Sequence, residues 1–162
     1  MAAYEAYGKS DEWYTPRYVF EAIGIRFDLD VAAPVLGPRH VTTQFWYHML
    51  RNGLRQPWHG TVWMNFPFGH QRNKQAWLKK FFDHGNGIAL VPDRTSAPWF
   101  QEYAPQADVI CWVSPKIKFE RPDGSVGGSP GTGTALLAVG LTASAALDQC
   151  GLGMITGRRL AA

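Results

Sequence analysis

Val62-Trp63-Met64-Asn65-Phe66-Pro67-Phe68-Gly69 opens as an unbroken apolar run and stops on Asn, Pro and Gly within a few residues. That is the pattern of a buried strand leaving its sheet abruptly, so the spacing predicts a strand over 61–65. Downstream, Asn73 to His84 places Ala76, Trp77, Leu78, Phe81 and Phe82 on one broad helical face, and Gly85 and Gly87 stop it. Gly87 to Val91 reads as a second buried strand ended by Pro92, Ala97 to Tyr103 as a short helix with Pro98 in its first turn, and Asp108 to Val113 as another strand. Upstream, Thr15-Pro16 starts a helix that Gly24 ends, with Thr15 as the expected N-cap. Ile25 to Val31 then alternates, giving a strand with apolar residues on one face and charge on the other.

Lys116 to Phe119 and Thr134 to Val139 are expected to pair as strands around a flexible Gly/Ser/Pro-rich loop, 122–133. Between Leu36 and Trp58 only Gln44 to Met49 has a regular pattern, and the tail after Leu141 gives no firm element. Strands alternating with helices imply an α/β fold whose sheet is mostly parallel, with an antiparallel hairpin near the C-terminal end. One domain over 1–162 is expected, with residues up to about Asp11 as a flexible lead-in.

The bulk properties narrow the function. An apolar fraction of 46% argues for a folded chain rather than a disordered one. No apolar run is long enough to span a bilayer, and Met1-Ala2-Ala3-Tyr4-Glu5 lacks the basic start and apolar stretch of a secretory signal, so a cytoplasmic protein is expected. Cys111 and Cys150 read as small buried hydrophobes in a reducing compartment. The five histidines share no metal-ligand spacing with one another or with the cysteines, so no metal is expected, and no phosphate-binding Gly-Lys-Ser/Thr loop is present. A net charge of +3 is compatible with a polyanionic partner.

Ligands of open α/β sheets bind beyond the carboxyl ends of the strands. Two such ends carry chemistry. Asp28 and Asp30 share a strand face and are followed by the small residues Ala32 and Ala33, which let a ligand approach the backbone. The carboxylates suit ammonium or hydroxyl groups of a ligand, and a solvated acidic face on an edge strand is the alternative. At the other end, Asn65 and the Phe66 carbonyl offer acceptors and Phe68 a flat ring. A planar base with an exocyclic amino group needs both. A plain tight turn is the alternative for this segment.

The order of motifs resembles the phage-type DNA adenine methyltransferases, the phage Dam family. It runs Asp11-Glu12-Trp13-Tyr14-Thr15-Pro16, Phe27-Asp28-Leu29-Asp30-Val31-Ala32-Ala33, Val62 to Gly69, Ala89-Leu90-Val91-Pro92-Asp93-Arg94-Thr95 with Trp99-Phe100, and Lys116-Ile117-Lys118-Phe119. The resemblance implies a Rossmann-like methyltransferase fold, S-adenosylmethionine as methyl donor, and adenine in DNA as acceptor. By it, Tyr14, Thr15, Pro16, Asp30, Ala32 and Ala33 fall on the cofactor side, and Asn65, Phe66, Pro67 and Phe68 form the catalytic motif. Phe66 stands where the family has the first proline of Asn-Pro-Pro-Tyr/Phe. Proline fixes φ and phenylalanine does not, so the expectation is either a looser loop or a second stacking surface.

Arg72, Lys74, Arg94, Lys116 and Lys118 lie near strand ends and are the expected phosphate contacts, whereas Lys79 and Lys80 read as a solvated helix face. The same motif would serve an amino-methyltransferase acting on RNA, cytosine or protein glutamine. A nucleic-acid-binding module with a weakened site is the alternative from another class.

Overall fold

The computed structural model describes residues 13–66 and 71–157. Among them, seven strands form one sheet and four α-helices pack on it. In chain order these are α1 (Arg17–Ile23), β1 (Leu29–Ala33), β2 (Trp46–His48), β3 (Val62–Met64), α2 (Gln71–His84), β4 (Gly87–Pro92), α3 (Pro98–Tyr103), β5 (Val109–Val113), β6 (Thr134–Val139), α4 (Leu141–Asp148) and β7 (Gly153–Gly157).

The strands lie side by side as β2-β1-β3-β4-β6-β5-β7. β1 pairs parallel with β2 and β3, and β3 with β4. β6 runs antiparallel between β4 and β5, and β7 antiparallel beside β5. The expectation of a mostly parallel sheet is therefore corrected to a mixed one, in which the antiparallel ladders are the longer. The cause is the return of β6 into the gap between β4 and β5. Strands β1 to β4 and β5 consequently share one direction, and their carboxyl ends share one edge of the sheet.

Period-two alternation divides the core into two layers. Trp63, Ile88 and Leu90 meet α1 and α4 on one face, through Val19, Phe20, Ile23, Ala143 and Leu147. Val62, Met64, Ala89 and Val91 meet α2 and α3 on the other, through Trp77, Leu78, Phe81 and Phe100. β1 has this double burial too. Its Leu29, Asp30, Val31 and Ala33 are all buried, so of the two acidic residues only Asp28 is solvated. A strand with neighbours on both sides and helices on both faces has no wet side.

α1 begins at Arg17 with Pro16 at the N-cap, and no side chain caps it. Thr15 is thus not the cap; its hydroxyl is used elsewhere. Gly24 ends the helix at φ 70, where its amide donates to the Phe20 carbonyl at 2.9 Å.

One further expectation is overturned. Residues 116–119 lie outside the sheet, and β6 pairs with β4 and β5 instead. Residues 141–157 supply α4 and β7, which pack on β5. Cys111 and Cys150, far apart in sequence, are free and buried with their sulfurs 3.8 Å apart.

The segment between β2 and β3 winds through two short 3-10 turns, Met49–Arg51 and Gly53–Arg55. Gly53 is pressed onto β1 so closely that a Cβ would stand 2.0 Å from the Val31 carbonyl oxygen. Lys80 of α2 donates to the carbonyls of Gly53, Leu54 and Gln56, and its ammonium lies 5.0 Å from the Trp58 ring centroid. Lys79 pairs with Asp83 as an exposed helix residue should, but Lys80 is an anchor for this loop.

Candidate active site at the carboxyl ends of the strands

A cavity of about 50 Å³ opens at the shared strand edge. It brings together Tyr14 and Thr15 from before α1, Asp30 and Ala32 from β1, His40 from the β1–β2 connection, and Asn65 from the end of β3. Phe20 and Trp63 also line it, their rings 4.8 Å apart and edge-on. Pro16 and Ala33, the other two residues expected on the cofactor side, flank the cavity without lining it.

Asp30 is the electrostatic centre. It is 4% exposed, and its Oδ1 accepts from the Ala32 amide at 3.1 Å. Burial pushes its pKa up to about 7, and the Ala32 amide offsets part of that rise. A carboxylate so placed favours a ligand bringing positive charge or hydrogen-bond donors. Asp28 does not join it. It precedes β1, and its Oδ2 accepts from the Thr61 amide at 2.7 Å, bracing the turn into β3.

Asn65 follows the strand alternation. It lies on the Trp63 side and so faces the cavity, where its Nδ2 donates to Thr15 Oγ1 at 3.3 Å. An amide whose nitrogen is held this way presents Oδ1 as its acceptor. Phe66 follows the same alternation to the opposite face. It is 1% exposed in the α2 layer, with its ring parallel to that of Trp77 at 6.3 Å. The expectation that its ring adds a stacking surface is therefore corrected. Pro67 and Phe68 lie outside the described residues.

The cavity's outer wall was not legible in the sequence. Tyr14 pairs with Glu120 through two backbone hydrogen bonds of 2.8 and 2.9 Å. Arg39 lays its guanidinium 3.8 Å from the Tyr14 ring centroid and donates to the Arg121 and Pro122 carbonyls at 2.9 and 2.6 Å. His40 Nε2 meets Glu120 Oε2 at 2.8 Å, while its Nδ1 is buried without a hydrogen-bond partner among the described residues. Glu120 also bridges to Val126, closing a tight hairpin over Arg121-Pro122-Asp123-Gly124-Ser125. Pro-Asp-Gly is a turn sequence, and Gly124 takes the φ of 88 that the turn needs. The first part of the expected flexible loop is thus a built hairpin, tied by Arg39 and Glu120 to the cavity. Arg39 and His40 sit in a segment without periodicity, which gives a sequence reading nothing to hold. The Pro-Asp-Gly turn is a usable signal.

The basic residues reach the same edge by different routes. Arg72 and Lys74 are in the first turn of α2, Arg94 follows β4, and Lys116 and Lys118 follow β5. Lys74, Arg94, Lys116 and Lys118 do not line the cavity. Lys74 lies 5.4 Å from the Trp99 ring centroid, Lys116 donates to the Pro130 and Gly131 carbonyls at 3.2 Å each, and Lys118 is exposed.

A family model described as DNA N-6-adenine-methyltransferase (Dam) matches residues 5–138, well over half of the chain. None of the curated proteins and none of the solved structures compared with it matches.

Proposed function

We propose that this chain, which belongs to the DNA N-6-adenine-methyltransferase (Dam) family, moves a methyl group from S-adenosylmethionine to the exocyclic amino nitrogen of adenine in DNA. The observation that carries the reading is the meeting of Asn65, oriented by Thr15, with the buried Asp30 in one cavity. The methyl donor fits the residues present. Asp30 is a buried carboxylate with its pKa raised by desolvation, the state that a cationic ligand relieves.

When bound, the donor supplies a methyl group on a positively charged sulfur. Asp30 faces its ammonium or hydroxyl groups, and Tyr14, Thr15 and Ala32 complete that side. Asn65 Oδ1 and the Phe66 carbonyl would accept the amino hydrogens of the base, orienting its nitrogen and supporting positive charge on it. Phe68 stacks on the base, flipped from the helix. No strong acid or base is required, so the site works by positioning.

Arg72, Lys74, Arg94, Lys116 and Lys118 surround the same edge and serve as phosphate contacts. The common direction of β1 to β4 and β5 is compatible with a Rossmann-like core, the fold on which this reading places the donor. Such an enzyme acts where DNA and donor meet, in the cytoplasm.

A labelled-methyl transfer assay on DNA, RNA and protein tests the reading, with mapping of the modified atom. Label at adenine N6 of DNA supports it. Label confined to RNA, cytosine or glutamine moves the acceptor, and no donor binding by calorimetry leaves a nucleic-acid-binding module.

A further inference from the structure

We infer that Trp13 is a stacking platform for a purine ring at the mouth of the cavity, an inference that rests on the methyl-transfer reading above. Trp13 lines the same cavity as Asp30 and Asn65, yet it is 40% exposed. The other aromatic residues of that cavity, Tyr14, Phe20 and Trp63, are buried. Phe66 is turned into the opposite core layer. Among the described residues, Trp13 is thus the aromatic side chain of the cavity wall that keeps surface to offer.

The indole is also held in place. Gly127 approaches it so closely that a Cβ there would stand 2.7 Å from Cζ3 and 3.1 Å from Cη2. The Gly127 amide donates to the Phe119 carbonyl at 2.8 Å, which fixes the hairpin strand against the indole. The Arg121 guanidinium lies 5.2 Å from the ring centroid. Glycine at 127 is required by this contact, since any side chain would push the indole away. A rigid aromatic surface at a pocket mouth, beside the acceptors Asp30 and Asn65, suits a flat heterocycle carrying N–H or O–H donors. Such stacking is tolerant of which base is offered, and a purine presents the larger face.

Two sources supply a purine here: the adenine ring of the methyl donor, and an adenine displaced from DNA. Trp13→Ala and Trp13→Phe distinguish them. S-adenosylhomocysteine, titrated calorimetrically, probes the first source. A short single-stranded oligodeoxyadenylate, compared with an abasic strand of equal length, probes the second. Loss of the indole is expected to weaken one probe about tenfold or more, with Trp13→Phe retaining most of the affinity. Loss confined to S-adenosylhomocysteine assigns the donor's ring. Loss on the oligodeoxyadenylate but not on the abasic strand assigns the DNA base.

The inference is overturned if Trp13→Ala, folded by circular dichroism, binds both probes as the wild type does. It is equally overturned if the abasic strand loses as much as the oligodeoxyadenylate and donor binding is unchanged. A wild-type protein that binds no S-adenosylhomocysteine and transfers no methyl group sinks the methyl-transfer reading instead. The platform is then decided by the oligodeoxyadenylate comparison alone.

Discussion

Replacing Asp30 by Asn removes a charge without changing shape, and the burial of the site determines the energetic consequence. The Asn side-chain oxygen still accepts from the Ala32 amide, so the strand end is preserved. In the wild type the folded-state pKa stands at about 7 against an ordinary 3.8. Below the ordinary value both folded and unfolded chains hold the proton, and the group's contribution to stability is fully present. As pH rises the unfolded carboxyl ionises first, so that contribution is lost progressively and is gone once the folded carboxyl titrates. Each pH unit in this window is worth at most about 1.4 kcal/mol. The ceiling across the window is about 4 kcal/mol, and dielectric relaxation brings the expected loss to about 2–4 kcal/mol.

Urea denaturation of both proteins across that window measures it. Wild-type stability should fall relative to Asp30→Asn between pH 3.8 and about 7 and run parallel to it above. S-adenosylhomocysteine should recover the lost stability in the wild type at neutral pH and much less in the variant, because the ligand's positive charge pairs only with the ionised carboxylate. Parallel stability curves over the whole range would mean that Asp30 is ionised at its ordinary pKa, and the assignment of Asp30 to a cationic ligand would lose its physical basis.

Asn65→Ala should lower methyl transfer about 10²- to 10³-fold, as removal of one preorganised polar partner does, while calorimetry finds donor affinity nearly unchanged; equal loss of both would make Asn65 structural. Arg39→Lys keeps the charge but loses the fork to the Arg121 and Pro122 carbonyls, so amide exchange at Gly124 and Gly127 should accelerate while that of β4 stays unchanged. Phe66→Pro, which restores the family's residue, should cost about 3–5 kcal/mol by urea denaturation because it deletes a buried ring. Lys80→Met leaves the Gly53, Leu54 and Gln56 carbonyls without their common donor, for a loss of about 1–3 kcal/mol with methyl transfer per folded molecule unchanged.

The elements that are legible in the sequence are those whose identity is local. β3, β4, β5, α2 and α3 come within a few residues of their observed bounds, because apolar runs and Gly or Pro boundaries are set by the chain itself. The features that are not legible are non-local. No pattern in Thr134 to Val139 says that it enters between β4 and β5 rather than pairing with 116–119. Every residue of β6 from Thr134 to Leu137 is buried, so periodicity names no partner. Lys80 reads as solvated for the same reason. Helical spacing gives its angle around α2 but not the 3-10 turns that arrive from residues 53–56 to meet it.

The candidate site is half legible. The motif residues Tyr14, Thr15, Asp30, Ala32 and Asn65 do converge, with Trp13 of the same N-terminal motif beside them, whereas Arg39 and His40 join only through the folded chain, and Glu120 only by its contact with His40. The placement of Phe66 is contained in the strand period itself. With Val62 and Met64 on one face and Trp63 on the other, a two-residue period sends Asn65 to the cavity and Phe66 to the opposite core, so the two side chains never share a site. That placement also bears on the missing proline. A proline there would restrict the backbone through φ; Phe66 restricts it through a ring that is 1% exposed and parallel to Trp77 at an interplanar angle of 12°. Moving residue 66 would mean pulling that ring out of the core, at a cost comparable to deleting it. The backbone at residue 66 is thus restrained by packing on α2 instead of by a pyrrolidine ring, and the departure from the motif exchanges one source of rigidity for another.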